Sequence, residues 1–247
     1  MLKYDGERLI PGDHRLKNLL IEDLAKFRFA SQYAINRLVL DAGCGAGQGS
    51  AYLSRSGARY VVGIDISSEA IAYARRTFPQ NNLTFVVMDA LHLGFPDHTF
   101  DLVTSIEVIE HLSEPDQYVA EIRRVLRNGG ILALSTPNKL ISSPTPGTIW
   151  PHHVKEFYPD ELCTLLMRHF SSVEMWGMWI PVYDQHPARR LMHWLAPLFK
   201  PILPRMLRVR ALPTLQRLIK AELSLDDISI SRADVARKPT LIAICHA

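Results

Sequence analysis

The 247-residue sequence has only three cysteines, Cys44, Cys163 and Cys245, and their spacing matches neither a disulfide framework nor a zinc site. It has no continuous apolar run of about 20 residues, the length that a membrane-spanning helix needs. Its first residues lack the apolar stretch of a secretory signal. The net charge of +3 is small, so overall charge says little about partners. These absences exclude disulfide-stapled and membrane-spanning proteins and predict a cytoplasmic location.

A glycine-rich turn follows an apolar strand within Val39-Leu40-Asp41-Ala42-Gly43-Cys44-Gly45-Ala46-Gly47. Glycines at such a turn let backbone amides approach a ligand closely. A second strand ends at Asp65, and an acid about 20 residues beyond a glycine-rich turn can accept both hydroxyls of a ribose. The turn has Gln48 where a dinucleotide fingerprint has its third glycine, and Asp41 would repel a pyrophosphate. The pattern therefore predicts an adenosine cofactor that carries positive charge, such as S-adenosylmethionine (SAM).

Strand-like and helix-like segments alternate along the chain. Strands are expected near 37–41, 60–64, 83–88, 101–106, 130–136, 172–179 and 240–246. Helices are expected near 47–56, 68–77, 116–127 and 159–168, after a leading helix over 16–34. This alternation predicts an α/β, Rossmann-like, seven-stranded, mostly parallel sheet with helices on both faces. Ligands bind such sheets beyond the carboxyl ends of the strands, where Asp41, Asp65, Asp89 and Glu107 fall.

The segment 181–238 separates the sixth predicted strand from the last one and is predicted to be a basic helical insertion. Its stretch 186–222 holds eight Lys or Arg residues and a single acid, Glu222, interleaved with apolar residues and prolines. Three interpretations stay open: a lid or homodimer element, a peripheral contact with anionic membrane, or a contact with nucleic-acid phosphates. The remaining domain bounds are 1–35, a segment and helix over the cofactor site, and 36–180 with 239–247, the cofactor-binding core.

Four motifs in order carry a resemblance to a known family. After the glycine-rich turn come Leu83–Ala90, Phe95–Ser105 and Leu126–Pro137, and together they resemble the class I SAM-dependent methyltransferases, type-11 branch, over about residues 36–180. Within this branch the sequence is similar to ubiquinone-pathway and to sugar and polysaccharide O-methyltransferases. The resemblance implies that Asp89 takes the adenine amino group while Met88 and Ala90 flank the ring. The residues predicted to hold SAM are Asp41, Gly43, Cys44, Gly45, Gly47, Asp65, Ile66, Met88, Asp89, Ala90, Ile106 and Glu107.

The stretch Ile106-Glu107-Val108-Ile109-Glu110-His111-Leu112 follows the fourth strand, where the methyl acceptor is expected. The Asn/Asp-Pro-Pro-aromatic motif of amine- and base-methylating families is absent here, which leaves oxygen, sugar or carbon acceptors. Glu-x-x-Glu-His also resembles the site of small-RNA 2′-O-methyltransferases, in which it binds a divalent metal together with a later histidine. The matching later residue is His153, with His152 as the second choice. The predicted catalytic residues are therefore His111, Glu110 and His153. The predicted metal ligands, for Mg, Mn or Zn, are Glu107, Glu110, His111 and His153.

Other roles stay open for these side chains, since Glu110-His111 also occurs in type-11 enzymes that need no metal. Glu107 can line the SAM pocket, and His111 can act as a base or cap the next helix. The sequence predicts SAM-dependent O-methylation of a small-molecule, sugar or lipid-linked acceptor. The alternatives are a metal-assisted RNA 2′-O-methyltransferase and a non-catalytic SAM-binding partner protein. Nucleic acid is the less favoured partner because no separate RNA-binding module is recognisable.

Overall fold

The computed structural model of the protein describes residues 10, 16–144, 149–181 and 223–247. Its strands are β1 (Leu38–Ala42), β2 (Tyr60–Asp65), β3 (Leu83–Val87), β4 (Phe100–Ile106), β5 (Leu126–Pro137), β6 (Ser172–Trp179), β7 (Ser229–Ser231) and β8 (Thr240–His246). They form one sheet in the order β3-β2-β1-β4-β5-β8-β6-β7.

The central strands are parallel and covered on both faces. β1 pairs in parallel with β2 and with β4, so that Leu40 lies opposite both Val62 and Val103. Val39 and Leu40 of β1 are fully buried although they point to opposite faces, which explains why the strand is a continuous apolar run rather than an alternating one. β8 is antiparallel to both of its neighbours, β5 and β6.

The helices are α1 (Lys17–Ser31), α2 (Gln48–Arg55), α3 (Ser68–Thr77), α4 (Pro115–Val125), α5 (Lys139–Ser142) and α6 (Pro159–Leu166). Their ends follow local chemistry. The Ser67 hydroxyl accepts a hydrogen bond from the backbone N–H of Ala70 and caps α3. Pro115 occupies the first turn of α4, where its missing N–H costs nothing. α4 buries Tyr118, Val119, Ile122 and Val125, and this apolar stripe places the helix against the sheet.

Two apolar clusters flank the sheet. One contains Leu40 and Leu132 from the strands with Ile122 of α4 and Leu162 of α6. The other contains Val39 and Phe85 with residues of α1, α2 and α3. Because helices cover both faces, the exposed part of the central sheet is its edge, where the parallel strands end.

The sheet has eight strands, so the prediction of seven was one short. All seven expected strands are present, and the additional one is β7, within the segment predicted to be a helical insertion. Three residues are too few to show a strand period in the sequence. The basic stretch 186–222 lies outside the described residues, so its helices, its contacts and the bounds of the insertion stay predictions. Among the helices of the described ranges, none has the length and hydropathy needed to cross a membrane.

Candidate functional site

The glycine-rich turn joins β1 to α2 and folds over the end of β2. Gly43, Gly45 and Gly47 all have positive φ angles, of 78°, 52° and 86°, which residues with a Cβ adopt only at a cost. The backbone N–H groups of Gly43 and Cys44 donate to the carbonyl of Ile64 at 2.9 and 2.7 Å. Burial raises the pKa of the Cys44 thiol well above its usual range, so this side chain is uncharged. The turn is therefore held by its own backbone and leaves a cradle without bulky side chains.

Asp41, at the end of β1, is buried beneath this turn with an exposed fraction of 1%. Its Oδ2 accepts from the hydroxyl of Ser50 at 2.6 Å, and its Oδ1 accepts from the hydroxyl of Thr104 at 2.7 Å. Burial raises the pKa of Asp41 to about 6, although both hydroxyl bonds favour the ionised form. Asp41 thus supports the turn from below, and its contact with a cationic ligand stays a prediction.

Asp65 ties the turn to the second strand. Its Oδ2 accepts from the backbone N–H of Gly45 at 2.9 Å, and its Oδ1 accepts from the N–H of Ser67 at 2.8 Å. A carboxylate oxygen has two lone pairs, so each oxygen keeps capacity for a hydroxyl of a ligand. The next side chain, Ile66, is 74% exposed. An apolar side chain beside a hydrogen-bonding carboxylate suits a ribose with its attached base.

The end of β3 lies next to Asp65, because the N–H of Met88 donates to the carbonyl of Asp65 at 3.1 Å. The following Asp89 accepts from the N–H of Leu91 at 2.9 Å, and this bond lowers the pKa of Asp89. Asp89 is therefore an ionised acceptor at neutral pH. Met88, Asp89 and Ala90 form one short segment, so the residues predicted to surround adenine are adjacent to the residue predicted to hold ribose.

Glu107 follows Ile106 at the end of β4 and has a left-handed backbone conformation with φ of 55°. Its Oε1 accepts from the hydroxyl of Ser135 at 2.7 Å and lies 3.1 Å from Nζ of Lys26 on α1. Lys26 is buried and also contacts Asp23 at 2.8 Å. Glu107 therefore contacts the leading helix, and it is not one of the residues whose ligand atoms cluster with those of the two histidines among the described residues.

Three carboxyl groups, those of Glu22, Asp23 and Glu107, lie near the single ammonium of Lys26. Burial raises the pKa of Glu22 to about 7 and raises the pKa of Asp23, while nearby Lys26 partly opposes both shifts. Glu22 and Asp23 therefore hold a proton more tightly than free carboxyl groups do.

Glu110, His111 and His153 form a second group of side chains at this edge of the sheet. One ligand atom from each of the three residues lies within 4.8 Å of the others. The carboxylate of Glu110 is 1% exposed, and its Oε2 accepts from the hydroxyl of Thr136 at 2.9 Å. Its Oε1 is buried and has no hydrogen-bond partner among the described residues. Burial, reinforced by the charge of Glu107, raises the pKa of Glu110 well above its usual range.

The ring of His153 is oriented by a buried carboxylate. Its Nδ1 lies 2.8 Å from Oε1 of Glu156, which also accepts from the backbone N–H of Trp150 at 3.2 Å. The ring of His111 lies 5.1 Å from the ring of His153, and its Nδ1 lies 3.2 Å from the carbonyl of His152. His152 thus contributes a backbone group, and His153 is the later histidine that joins the cluster.

Sequence reasoning gave no role to Lys26, Ser50, Thr104 or Glu156. Thr104 is opposite Asp41 only because β4 pairs with β1, and the sequence does not specify that pairing. Lys26 lies at a polar position of the helical pattern of α1, and nothing in the sequence distinguishes it from an exposed lysine. Glu156 offered one signal, since it lies three residues after His153, but its burial was not visible in the sequence.

The sheet order, the glycine-rich turn and the acids at the strand ends define the class of SAM-binding Rossmann-like proteins. Residues 40–134 match a family model described as "Methyltransferase domain". A Mycobacterium tuberculosis protein named "Probable S-adenosylmethionine-dependent methyltransferase" is 36% identical over 181 residues, which cover 72% of this chain and 65% of that protein. The chain thus spans just under two thirds of the length of this curated relative. It belongs to the class I SAM-dependent methyltransferase family, in the type-11 branch.

Two further proteins illustrate the range of likeness. The 2-methyl-6-phytyl-1,4-hydroquinone methyltransferase of Synechocystis is 36% identical over 124 residues, which cover 50% of this chain and 39% of that enzyme. A crystal structure of a SAM-dependent methyltransferase from Mesorhizobium loti superposes with a TM-score of 0.60 at 17% identity and covers 92% of this chain and 100% of that one. At that identity the likeness concerns the fold.

Proposed function

We propose that the protein transfers a methyl group from SAM to an oxygen of a small-molecule, sugar or lipid-linked acceptor. The observation that carries this proposal is the Glu110–His111–His153 cluster. Glu110 and His111 follow β4 closely in the chain, two and three residues after Val108, whose side chain lies against Gly43 of the glycine-rich turn. Family membership supports methyl transfer, and the phytyl-hydroquinone name of one relative supports a lipophilic hydroxyl compound as acceptor.

The cofactor would lie along the ends of β1 to β4. Asp65 would hold the ribose, Met88, Asp89 and Ala90 the adenine, and the backbone of the glycine-rich turn the centre of the molecule. SAM carries an ammonium and a sulfonium, and the carboxyl group of Glu107, directly after β4, suits a cationic ligand. When bound, SAM supplies a methyl group on a positively charged sulfur, which leaves as a neutral thioether.

On the acceptor side of the site, one proton would be transferred from the acceptor hydroxyl to the protein. As the oxygen–methyl bond forms and the sulfur–methyl bond breaks, the acceptor hydroxyl loses its proton to His153 Nε2. The bond between Glu156 and His153 Nδ1 fixes the ring and compensates the positive charge that the imidazole gains. Burial favours the neutral form of Glu110, so this side chain would hydrogen-bond the acceptor rather than repel a developing oxyanion.

The proposal is tested with labelled SAM and four acceptor pools: lipid extract, polysaccharide precursors, hydroquinones and RNA. We expect Glu110→Gln, His111→Ala and His153→Ala each to lower turnover by about 10²- to 10⁴-fold. Calorimetry should give an affinity for S-adenosylhomocysteine within about twofold of wild type, because these residues are assigned to the acceptor side. His169→Ala is the matched control, since that residue pairs with Asp116 on the surface.

Unchanged turnover in all three variants would refute the site assignment. Labelling of RNA alone would favour the RNA 2′-O-methyltransferase alternative. Cofactor binding without product in any pool would favour the non-catalytic partner protein.

A metal-assisted transfer is a second candidate, favoured by the unpartnered Oε1 of Glu110. A carboxylate and two imidazoles suit Mg, Mn or Zn, and a bound cation would lower the pKa of the acceptor hydroxyl. Calorimetry with Zn²⁺ alone should then show binding that Glu110→Gln abolishes and Glu107→Gln preserves. Full activity after dialysis against a chelator, with no Zn²⁺ binding, would dismiss this candidate.

A further inference from the structure

Exposed apolar side chains are concentrated beside the Glu110–His111–His153 cluster. Twelve large hydrophobic side chains are exposed within the described ranges, and six of them fall between residues 140 and 158. We call these six the apolar rim: Leu140, Ile141, Ile149, Trp150, Val154 and Tyr158. Such a concentration is unusual for a surface without a partner, because isolated exposed apolar residues are scattered.

The two segments of the apolar rim are held together by the backbone. Asn138 forms a parallel bridge with Phe157, and the N–H of Lys139 donates to the carbonyl of Phe157 at 3.0 Å. The N–H of Val154 donates to the carbonyl of Glu110 at 2.8 Å. The rim is therefore attached directly to the proposed acceptor site.

Cationic side chains border the apolar rim. The Nζ of Lys139 lies 5.0 Å from the ring of Tyr158, and the Nζ of Lys155 lies 4.8 Å from the ring of Phe157. Neither ammonium has a carboxylate within ion-pair distance among the residues that the structure describes. The acid next to Lys155 in sequence, Glu156, is buried and its carboxylate contacts His153. Glu161, in the first turn of α6, accepts a hydrogen bond from the N–H of Tyr158.

More positive charge lies on the adjoining segment. The amide of Asn138 donates to the carbonyls of Ala236 and Lys238 at 3.0 and 2.8 Å, so Arg237 and Lys238 are neighbours of α5. The surface thus combines an exposed Trp and aliphatic side chains with a fringe of cations, the composition that binds the headgroup region of anionic membranes.

We propose that the apolar rim docks on an anionic lipid bilayer and that the acceptor enters the site from that bilayer. The inference rests on the proposed function, because it names a membrane-resident, amphiphilic acceptor for the same site. It concerns residues 139–144, 149–158 and 237–238 and is separate from the interpretation of the stretch 186–222. The side chains of the rim would enter the headgroup region while Lys139 and Lys155 contact lipid phosphates.

The test is flotation of the full chain with phosphatidylcholine vesicles, with and without phosphatidylglycerol. We expect the wild type to float only with the anionic vesicles. The variant I141S/W150S should lower the partition coefficient about tenfold or more. The variant K139Q/K155Q should lower it about thirtyfold, because each cation near an anionic surface contributes roughly fivefold. Ile35→Ser is the matched control, since this exposed residue precedes β1 at the opposite end of the sheet.

Wild-type flotation by both double variants, or no flotation of the wild type, would overturn the proposal. A change from dimer to monomer in I141S/W150S, without vesicle binding, would instead assign the rim to a second copy of the chain. Binding of S-adenosylhomocysteine is measured in parallel. If it is unchanged while flotation is lost, the docking surface and the methyl-transfer site are shown to be separable.

Discussion

Individual residues at the glycine-rich turn are constrained by conformation and by packing at the same time. A Cβ at Gly43 would lie 2.5 Å from a methyl carbon of Val108, in a residue whose φ is already 78°. Val108 therefore packs against the glycine-rich turn, and Asp41 is buried beneath the same turn.

Gly43→Ala should destabilise the protein by about 3 kcal/mol, because the positive φ costs about 1–2 kcal/mol and the clash adds about as much. Gly129→Ala is the matched control, since its φ is 73° and a Cβ there meets nothing within 4 Å. Gly129→Ala should lower the free energy of unfolding by only about 1 kcal/mol. Urea unfolding measures both, and the variant G43A/V108A should show a smaller clash contribution. Equal costs for the two single variants would contradict the packing argument.

Asp41 gives a prediction about pH. Its pKa is about 6 in the folded protein against 3.8 as the ordinary value, so the folded state holds the proton more tightly. Ionising this carboxyl therefore costs stability as the pH rises from about 4 to 6. The free energy of unfolding of Asp41→Asn, relative to wild type, should increase across this window by at most about 3 kcal/mol, at 1.36 kcal/mol per pKa unit. A difference that stays constant between pH 4 and 7 would show that Asp41 is not perturbed.

At the scale of elements, α1 connects the leading segment to the site. The sequence predicts a helix over 16–34, and the structure has it at Lys17–Ser31. Its Lys26 joins Asp23 of the same helix to Glu107 after β4, so the position of α1 and the charge at the site are coupled. The proposal that 1–35 covers the cofactor is consistent with this contact and remains to be tested.

A double-mutant cycle with Lys26→Gln and Glu107→Gln measures this coupling. We expect a coupling energy of about 2 kcal/mol in urea unfolding, because Lys26 is buried and Glu107 is partly buried. The exposed pair Arg168–Asp116 is the control and should give a much weaker coupling, because solvent screens both charges. Coupling as weak as in the control would mean that the leading helix is not held through Glu107.

At the scale of the whole molecule, the sheet brings the ends of four parallel strands to one edge, where sheets of this kind bind their ligands. S-adenosylhomocysteine at 100 times its dissociation constant should add about 2.7 kcal/mol to the unfolding free energy, visible as a rise in melting temperature. A nicotinamide dinucleotide should add nothing, because Gln48 and Asp41 break its fingerprint. A rise in melting temperature with the dinucleotide but not with S-adenosylhomocysteine would show that the chain binds a cofactor other than the family's usual one.

Local patterns were enough to predict much of this architecture. Apolar runs located the strands, the glycines located the turn, and both depend on neighbouring residues only. Local patterns did not predict β7, because three residues are too few to show the alternation of a strand. They did not predict α5 either, because it is short and lies beside Ser, Pro and Gly residues, which are typical of loops. The sequence grouped Glu107 with Glu110, His111 and His153 because sequence proximity and resemblance gave no information on where each side chain points.

The order of elements and the glycine-rich turn were present in the linear chain, because each depends on spacing along it. The tertiary structure alone paired Thr104 with Asp41, turned Glu107 toward Lys26 and seated His153, 42 positions further on, against His111. Those pairings depend on which strand and loop become neighbours, a matter of long-range packing that no local pattern encodes.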